Sequence, residues 1–235
     1  GALTRSVADC ILLDQILSAE HLDTRAAPLA GLRLAVTRDL VLEQLDADVT
    51  AAFERSLDLL AKAGACIRWF DFPELHELSR INAAGGLTAA EAWHGHRQWL
   101  EGDDSHRYDV RVAQRIRRGA AISAADYLDV KYERQRLISV ARERLGDADA
   151  WLLPSVAVVA PKLADLAEDA AFFATNGLVL RNTSVINFLD GCALSLPCQR
   201  GDELPVGLSI AGLHGQDARV LQVSRAIEAL LREHT

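Results

Sequence analysis

Residues 182–212 read NTSVINFLDGCALSLPCQRGDELPVGLSIAG, and this stretch decides the fold. The run 192–196 is short and apolar, and Pro197 closes it because proline cannot donate a ladder hydrogen bond. A polar break follows, and Leu204-Pro205-Val206-Gly207-Leu208 opens a second apolar run that lasts to residue 213. Apolar runs of this length, bounded by Gly, Pro and Asp, read as buried strands. Asn187, just ahead of the first run, is expected to turn the chain by bonding nearby backbone groups. Residues 217–232 then read as a closing helix.

Working outward, Thr4 or Ser6 can cap a helix whose apolar residues Val7, Cys10, Ile11, Leu13 and Leu17 recur at helical spacing. Residues 21–30 form a loop containing Pro28, and 32–37 is a short β-type run. Asp46 begins a helix with Val49, Phe53, Leu57 and Leu60 on one stripe; Gly64 stops it, and 65–70 reads as a strand. Strand, helix, strand at this spacing is a βαβ unit, which implies parallel pairing and a right-handed crossover. Residues 75–145 are mostly helical, with interruptions at Gly85-Gly86, Gly102 and Gly119. Residues 151–159 are strand-like, broken by Pro154 and ended by Pro161, and a helix covers about 172–180. The fold class that follows is α/β, a mixed β-sheet covered by helices on both faces. Because the chain opens with a helix, its sheet is expected to take strands from elsewhere.

The 235 residues are 50% hydrophobic and 25% charged, enough apolar material for a sizeable core. A net charge of −8 argues against nucleic acid and anionic membrane as partners, since a phosphate footprint needs clustered cations. The basic stretch 111–118 is interrupted by apolar residues at helical spacing, so it reads as a solvated or substrate-facing helix. No apolar run approaches the length of a bilayer span, and nothing resembles a leader peptide. Methionine is absent, and the abrupt start at Leu3-Thr4-Arg5-Ser6 suggests an internal start. The cysteines Cys10, Cys66, Cys192 and Cys198 show no zinc-ligand spacing. Each sits in apolar sequence, so buried free thiols and a cytoplasmic location are expected.

The stretch 182–212, together with Gly1-Ala2-Leu3-Thr4-Arg5-Ser6-Val7-Ala8-Asp9, resembles the amidase signature family. The first matches that family's C-terminal portion and the second a segment just after its catalytic core. The resemblance implies that residues 1–235 are the C-terminal portion of an amidase domain, a partial amidase-signature fold lacking the N-terminal catalytic-core half. Amidases of this family use a Lys and two Ser: one Ser attacks the amide carbonyl, the other relays its proton, and the Lys is the base. Their nucleophile lies in a Gly/Ser-rich segment whose N–H groups hold the oxyanion. No such segment exists here, and Lys62, Lys131 and Lys162 have no Ser pair beside them in sequence. The resemblance therefore implies an amidase parent that hydrolyses a carboxamide to a carboxylate plus ammonia or amine, without cofactor or metal. This chain would supply scaffold and one wall of the substrate pocket, with no catalytic residue, and be inactive alone. Its expected partners are the amide substrate and the missing N-terminal half or another chain, with self-association through an unpaired sheet edge. The alternatives are a truncated, non-catalytic binding protein and the amidase component of a tRNA-dependent amidotransferase. Against the latter, Leu180 stands where glutamine-dependent members carry an acidic residue, by ungapped placement.

Tyr108-Asp109-Val110-Arg111-Val112, then Arg115-Ile116 and Gly119, resembles a family segment whose arginine contacts substrate carbonyl or carboxylate groups. This makes Arg115 and Tyr108 the substrate-binding candidates, since a guanidinium offers a planar fork of donors that stays charged. The alternatives are a surface helix arginine and a half-buried packing tyrosine. Cys198 would need a His partner to act as a nucleophile, and His214 is nearest in sequence. His94, His96 and His106 with Glu91 are too scattered for a convergent metal set. Trp93 and Trp99 suit an apolar edge or the wall of a cleft, and Asp103-Asp104 a solvated turn.

Overall fold

The hydroxyl of Ser6 accepts the N–H of Asp9 at 3.1 Å and so caps α1 (Val7–Ser18), a contact worth about 1 kcal/mol. The structure, a computed structural model, describes residues 1–234. After α1 come β1 (Arg33–Val36), α2 (Ala47–Lys62) and β2 (Cys66–Trp69). The helical middle holds α3 (Glu77–Ile81), α4 (Gly86–Glu101), α5 (Val110–Arg117) and α6 (Ala124–Leu145). The last part is β3 (Ala150–Pro154), α7 (Asp169–Phe188), β4 (Cys192–Pro197), β5 (Gly207–Gly212) and α8 (Asp217–Arg232). The chain divides into two units: Gly1–Phe72 with Ala141–Thr235, and Pro73–Val140.

The first unit is built on a five-stranded mixed sheet in the order β2-β1-β3-β5-β4. β1 pairs in parallel with β2 and β3, whereas β5 pairs antiparallel with β3 and β4. The apolar stripe of α2 does what its spacing implies: Val49, Phe53, Leu57 and Leu60 are buried in one cluster with Leu34, Val36, Leu152 and Ile210 of the strands. Val7 and Ile11 of α1 and Val220, Val223 and Ile227 of α8 complete that face. On the opposite face the ring of Trp151 meets Phe70 at 6.1 Å and Phe72 at 6.2 Å. Val185, Ile186 and Leu189 of α7 are buried outside the first cluster. Each fully buried large apolar side chain contributes about 1.5–3 kcal/mol.

Three expectations are corrected here. The helix anticipated at 172–180 runs on to Phe188, so Asn187 lies within α7 and does not make the turn. Asp190 makes it instead, at φ 58°, with the Gly191 N–H reaching back to the Ile186 carbonyl at 2.9 Å. Asp tolerates the left-handed region and Gly can follow in close contact, which is a helix C-terminal motif. The Ser155 N–H still donates to Gly207 O of β5 at 2.8 Å, but residues 156–159 do not extend β3, because their backbone is used elsewhere. The Ala157 carbonyl accepts from Asp46 N–H at 3.0 Å, and the Val159 N–H donates to the Asp46 carboxylate at 2.9 Å. Finally, the four thiols are free but not all buried: Cys198 is buried and Cys66 exposed, since β2 is an edge strand with little packed on it. The sheet draws five strands from this chain, with β2 and β4 at its edges.

In the second unit Asp109 caps α5, its carboxylate accepting from Arg111 N–H at 2.9 Å and Val112 N–H at 3.1 Å. Gly119 allows the turn after α5 to sit directly on α4. A Cβ there would fall inside contact distance of the Ala89 carbonyl and 2.6 Å from Trp93 Cβ.

Candidate functional site

β1 and β3 are parallel neighbours whose onward connections diverge. β1 leads to α2 on one face of the sheet and β3 to α7 on the other. In open α/β sheets such divergence marks the carboxyl ends of the two strands as the position where ligands bind. β1 and β3 pair only over Leu34↔Ala150 and Ala35↔Trp151, so beyond residue 36 the two chains separate.

Asn182 of α7 closes the base of this gap. It is fully buried, and its amide donates to the Val41 carbonyl at 3.0 Å and the Pro154 carbonyl at 2.8 Å. Its own carbonyl accepts from Arg181 Nε at 3.0 Å, and Arg181 Nη2 donates to Val41 O at 3.3 Å. Among the described residues, every hydrogen bond from the half-buried Arg181 goes to a neutral oxygen. Burial holds its pKa below the ordinary arginine value, and the Glu43 carboxylate opposes that only through space. The loop beneath carries two non-glycine residues in the left-handed region, Leu40 (φ 59°) and Gln44 (φ 49°). Such conformations cost about 1–3 kcal/mol each and persist where surrounding bonds impose them. Here the Asp39 carboxylate accepts from Thr37 Oγ1 at 3.1 Å and Phe72 N–H at 2.5 Å.

Next to this, three hydroxyls meet on one face of the sheet. Ser155 Oγ lies 2.5 Å from Ser195 Oγ and 2.8 Å from Ser209 Oγ. They meet because residue 207 is glycine: a Cβ there would stand 2.5 Å from Ser195 Oγ and 2.6 Å from Ser155 Oγ. Among the described residues the hydrogen bonds of this cluster run between hydroxyls, and none joins it to a basic side chain that would activate a nucleophile.

Tyr108 and Arg115 both lie in the second unit. The Tyr108 hydroxyl is 2.8 Å from His96 Nδ1, and the two rings meet edge-on at 5.7 Å. Trp99, 53% exposed, also packs obliquely against His96, with ring centroids 5.7 Å apart. Arg115 is exposed on α5, and no hydrogen bond joins it to Tyr108 among the described residues. His106 is tied to its own turn through the Asp103 carbonyl at 2.7 Å, and Asp103 and Asp104 are exposed. Among the described residues no group of three or more His, Cys, Asp and Glu is placed to hold a metal. Among them, too, no helix is long and apolar enough to cross a membrane. Cys198 and His214 are not paired: His214 Nδ1 sits 3.2 Å from the Asp190 carboxylate, and the Cys198 thiol donates to Val206 O at 3.5 Å. Burial pushes the Cys198 thiol up to about 11, the opposite of an activated nucleophile.

The sequence reading passed over Asn182, Arg181 and the serine cluster. A signal existed for Asn182, a polar residue within a helical run. None existed for the serines, which are 40 and 54 residues apart along the chain.

A family model described as Amidase matches residues 1–221. The 2-amino-5-chloromuconic acid deaminase of Comamonas testosteroni is 32% identical over 98% of this chain and 51% of its own length. Indoleacetamide hydrolase of Rhizobium radiobacter is 29% identical over 97% of the chain and 53% of its own. A glutamyl-tRNA(Gln) amidotransferase component of Acidobacterium capsulatum is 28% identical over 87% and 47%. A crystal structure of an amidase superposes with a TM-score of 0.80 at 26% identity, over 96% of this chain and 51% of that one. The chain spans about half the length of the curated relatives it matches.

Proposed function

This chain belongs to the amidase family, and from that premise we propose that it is the C-terminal portion of an amidase domain. The complete polypeptide hydrolyses the C–N bond of a carboxamide to a carboxylate and ammonia or amine. The observation that carries this reading is the family match along residues 1–221, together with the fold shared with a solved amidase. The serine and lysine chemistry belongs to the other half of the domain, and this chain contributes sheet, covering helices and a wall of the pocket. Tyr108 and Arg115 contact the substrate from that wall.

The other half is the occupant of the free edge of β4. A groove of about 610 Å³ runs beside that edge, lined by Thr4, Cys10, Leu194, Ser195 and Leu221 among others. Leu17 of α1 also lines it and is 77% exposed. An unpaired strand beside apolar helix surface takes up a further strand readily, and the relatives are about twice as long as this chain.

A second reading is the amidase component of a tRNA-dependent amidotransferase, favoured by the Acidobacterium capsulatum relative. Leu180, 38% exposed on α7, opposes it, since an aliphatic side chain cannot hold the amino group of glutamine. The test is ammonia release from a panel of amides including glutamine. We expect none from this chain alone and turnover when it is joined to the polypeptide preceding it in its native reading frame. Turnover by the chain alone would refute the division of labour, and turnover of glutamine in preference to the other amides would establish the second reading.

A further inference from the structure

We propose that Arg181, beside the loop after β1 and the carboxyl end of β3, is a carboxylate-binding residue, and that the ligand of this site carries an anionic carboxylate in addition to its amide. The identity of the ligand as an amide rests on the amidase reading; its negative charge rests on the geometry below.

A guanidinium withdrawn from water requires a counter-charge or a full set of acceptors. Arg181 is half-buried; among the described residues its hydrogen bonds reach the Asn182 side-chain carbonyl through Nε and the Val41 carbonyl through Nη2, and the Glu43 carboxylate acts on it through space. A guanidinium has five N–H donors in a fixed fork, so Nη1 keeps both of its protons unspent and Nη2 one. Those remaining donors form the fork that suits a carboxylate. The side chain cannot swing away to seek a partner without abandoning both bonds. Burial already disfavours its charged form, a condition that a bound anion reverses.

Its position points to a ligand as well. Val41 O, which accepts from Arg181, lies in the loop that follows β1, and Pro154 O marks the carboxyl end of β3; the Asn182 amide bridges the two. These are the strands between which the connections change face, the place where a ligand enters an open α/β sheet. The left-handed residues Leu40 and Gln44 flank the same loop, and such strain concentrates at binding sites. The Glu43 carboxylate, the acidic group that acts on Arg181, accepts the Leu40 N–H at 3.1 Å and so stiffens that loop.

The experiment compares succinamate, which carries one carboxylate and one amide, with butyramide, a neutral amide of the same length. Calorimetric titration of this chain is expected to show tighter binding of succinamate. Arg181→Gln should weaken succinamate binding about 10- to 100-fold, the range for charge-assisted hydrogen bonds, and leave butyramide unchanged. Arg181→Lys, which keeps the charge and loses the fork, should fall between. Equal binding of the two ligands by the wild-type chain overturns the proposal without recourse to any variant, and so does an equal effect of Arg181→Gln on both. The complete polypeptide separates this proposal from the amidase reading. If it hydrolyses neutral amides and Arg181→Gln leaves its preference for anionic ones unaltered, the carboxylate site falls and the amidase reading stands. If succinamate binds in an Arg181-dependent way and no amide is turned over, the reverse holds.

Discussion

Replacing Asn182 by alanine tests whether one buried amide holds the loop after β1 to the carboxyl end of β3. The side chain is fully buried and makes three hydrogen bonds, to Val41 O, Pro154 O and Arg181 Nε. Val41 O keeps a bond from Arg181, but Pro154 O loses the donor that reaches it across the gap. Each lost bond is worth about 1 kcal/mol net, and a buried polar group left without a partner about 1–3 kcal/mol. The cavity left by the amide adds to this. We therefore expect a loss of about 3 kcal/mol, which for a chain of this size lowers Tm by roughly 6–12 °C. Urea unfolding followed by tryptophan fluorescence reads the free energy directly, because Trp151 lies in β3. The control is Thr183→Ala, one residue along α7: Thr183 is exposed and only bonds back to the Leu180 carbonyl at 3.0 Å. That change should stay within about 0.5 kcal/mol. A loss below about 1 kcal/mol for Asn182→Ala, or one no larger than the control's, refutes the pinning role.

Gly207→Ala should cost about 1–3 kcal/mol by overpacking, since the new methyl meets Ser155 Oγ and Ser195 Oγ. Adding Ser155→Ala and Ser195→Ala should recover most of it by chemical denaturation. Gly119→Ala should cost more than Gly207→Ala, because its methyl meets the Ala89 backbone carbonyl, which cannot rotate aside. Ser6→Ala removes the cap of α1 and should lower stability by about 1 kcal/mol, or roughly 2–4 °C in Tm. Cys198 gives a pH dependence. Its thiol is raised from 9.0 to about 11 in the fold, so the unfolded chain gives up that proton first and stability falls as pH rises from 9 to 11. The Cys198 contribution is intact below pH 9, and Cys198→Ala should flatten that alkaline slope relative to the wild type. At pH 8 a thiol reagent should modify the exposed Cys66 well before Cys198.

The local chemistry of the chain was enough to place most of the elements. The stripe of α2 is legible because residues three and four apart share a face in any helix; Val49, Phe53, Leu57 and Leu60 are therefore buried wherever that helix packs. The two runs after residue 191 are strands because each is short, apolar and bounded by residues that cannot continue it. The βαβ unit and the closing helix are legible for the same local reason, and so is the resemblance to the amidase family. The site was much less legible. The resemblance marked Arg115 and Tyr108, but the fate of a polar side chain depends on which distant backbone comes to meet it. Asn187 and Asn182 look alike along the sequence and differ in the fold: Asn182 faces Val41, 141 residues away, and Pro154, 28 residues away. Cys66 is exposed and Cys198 buried although both lie in apolar runs, because one strand ends up at a sheet edge and the other run leaves the sheet beneath α2. Ser155, Ser195 and Ser209 become neighbours only once β5 is inserted between β3 and β4. Sequence periodicity thus determined which side of α2 turns inward, whereas Leu13 and Leu17 of the stripe expected on α1 are exposed. Strand order, set by packing between residues far apart in the chain, decided which polar groups were left facing one another where the loop after β1 meets the carboxyl end of β3.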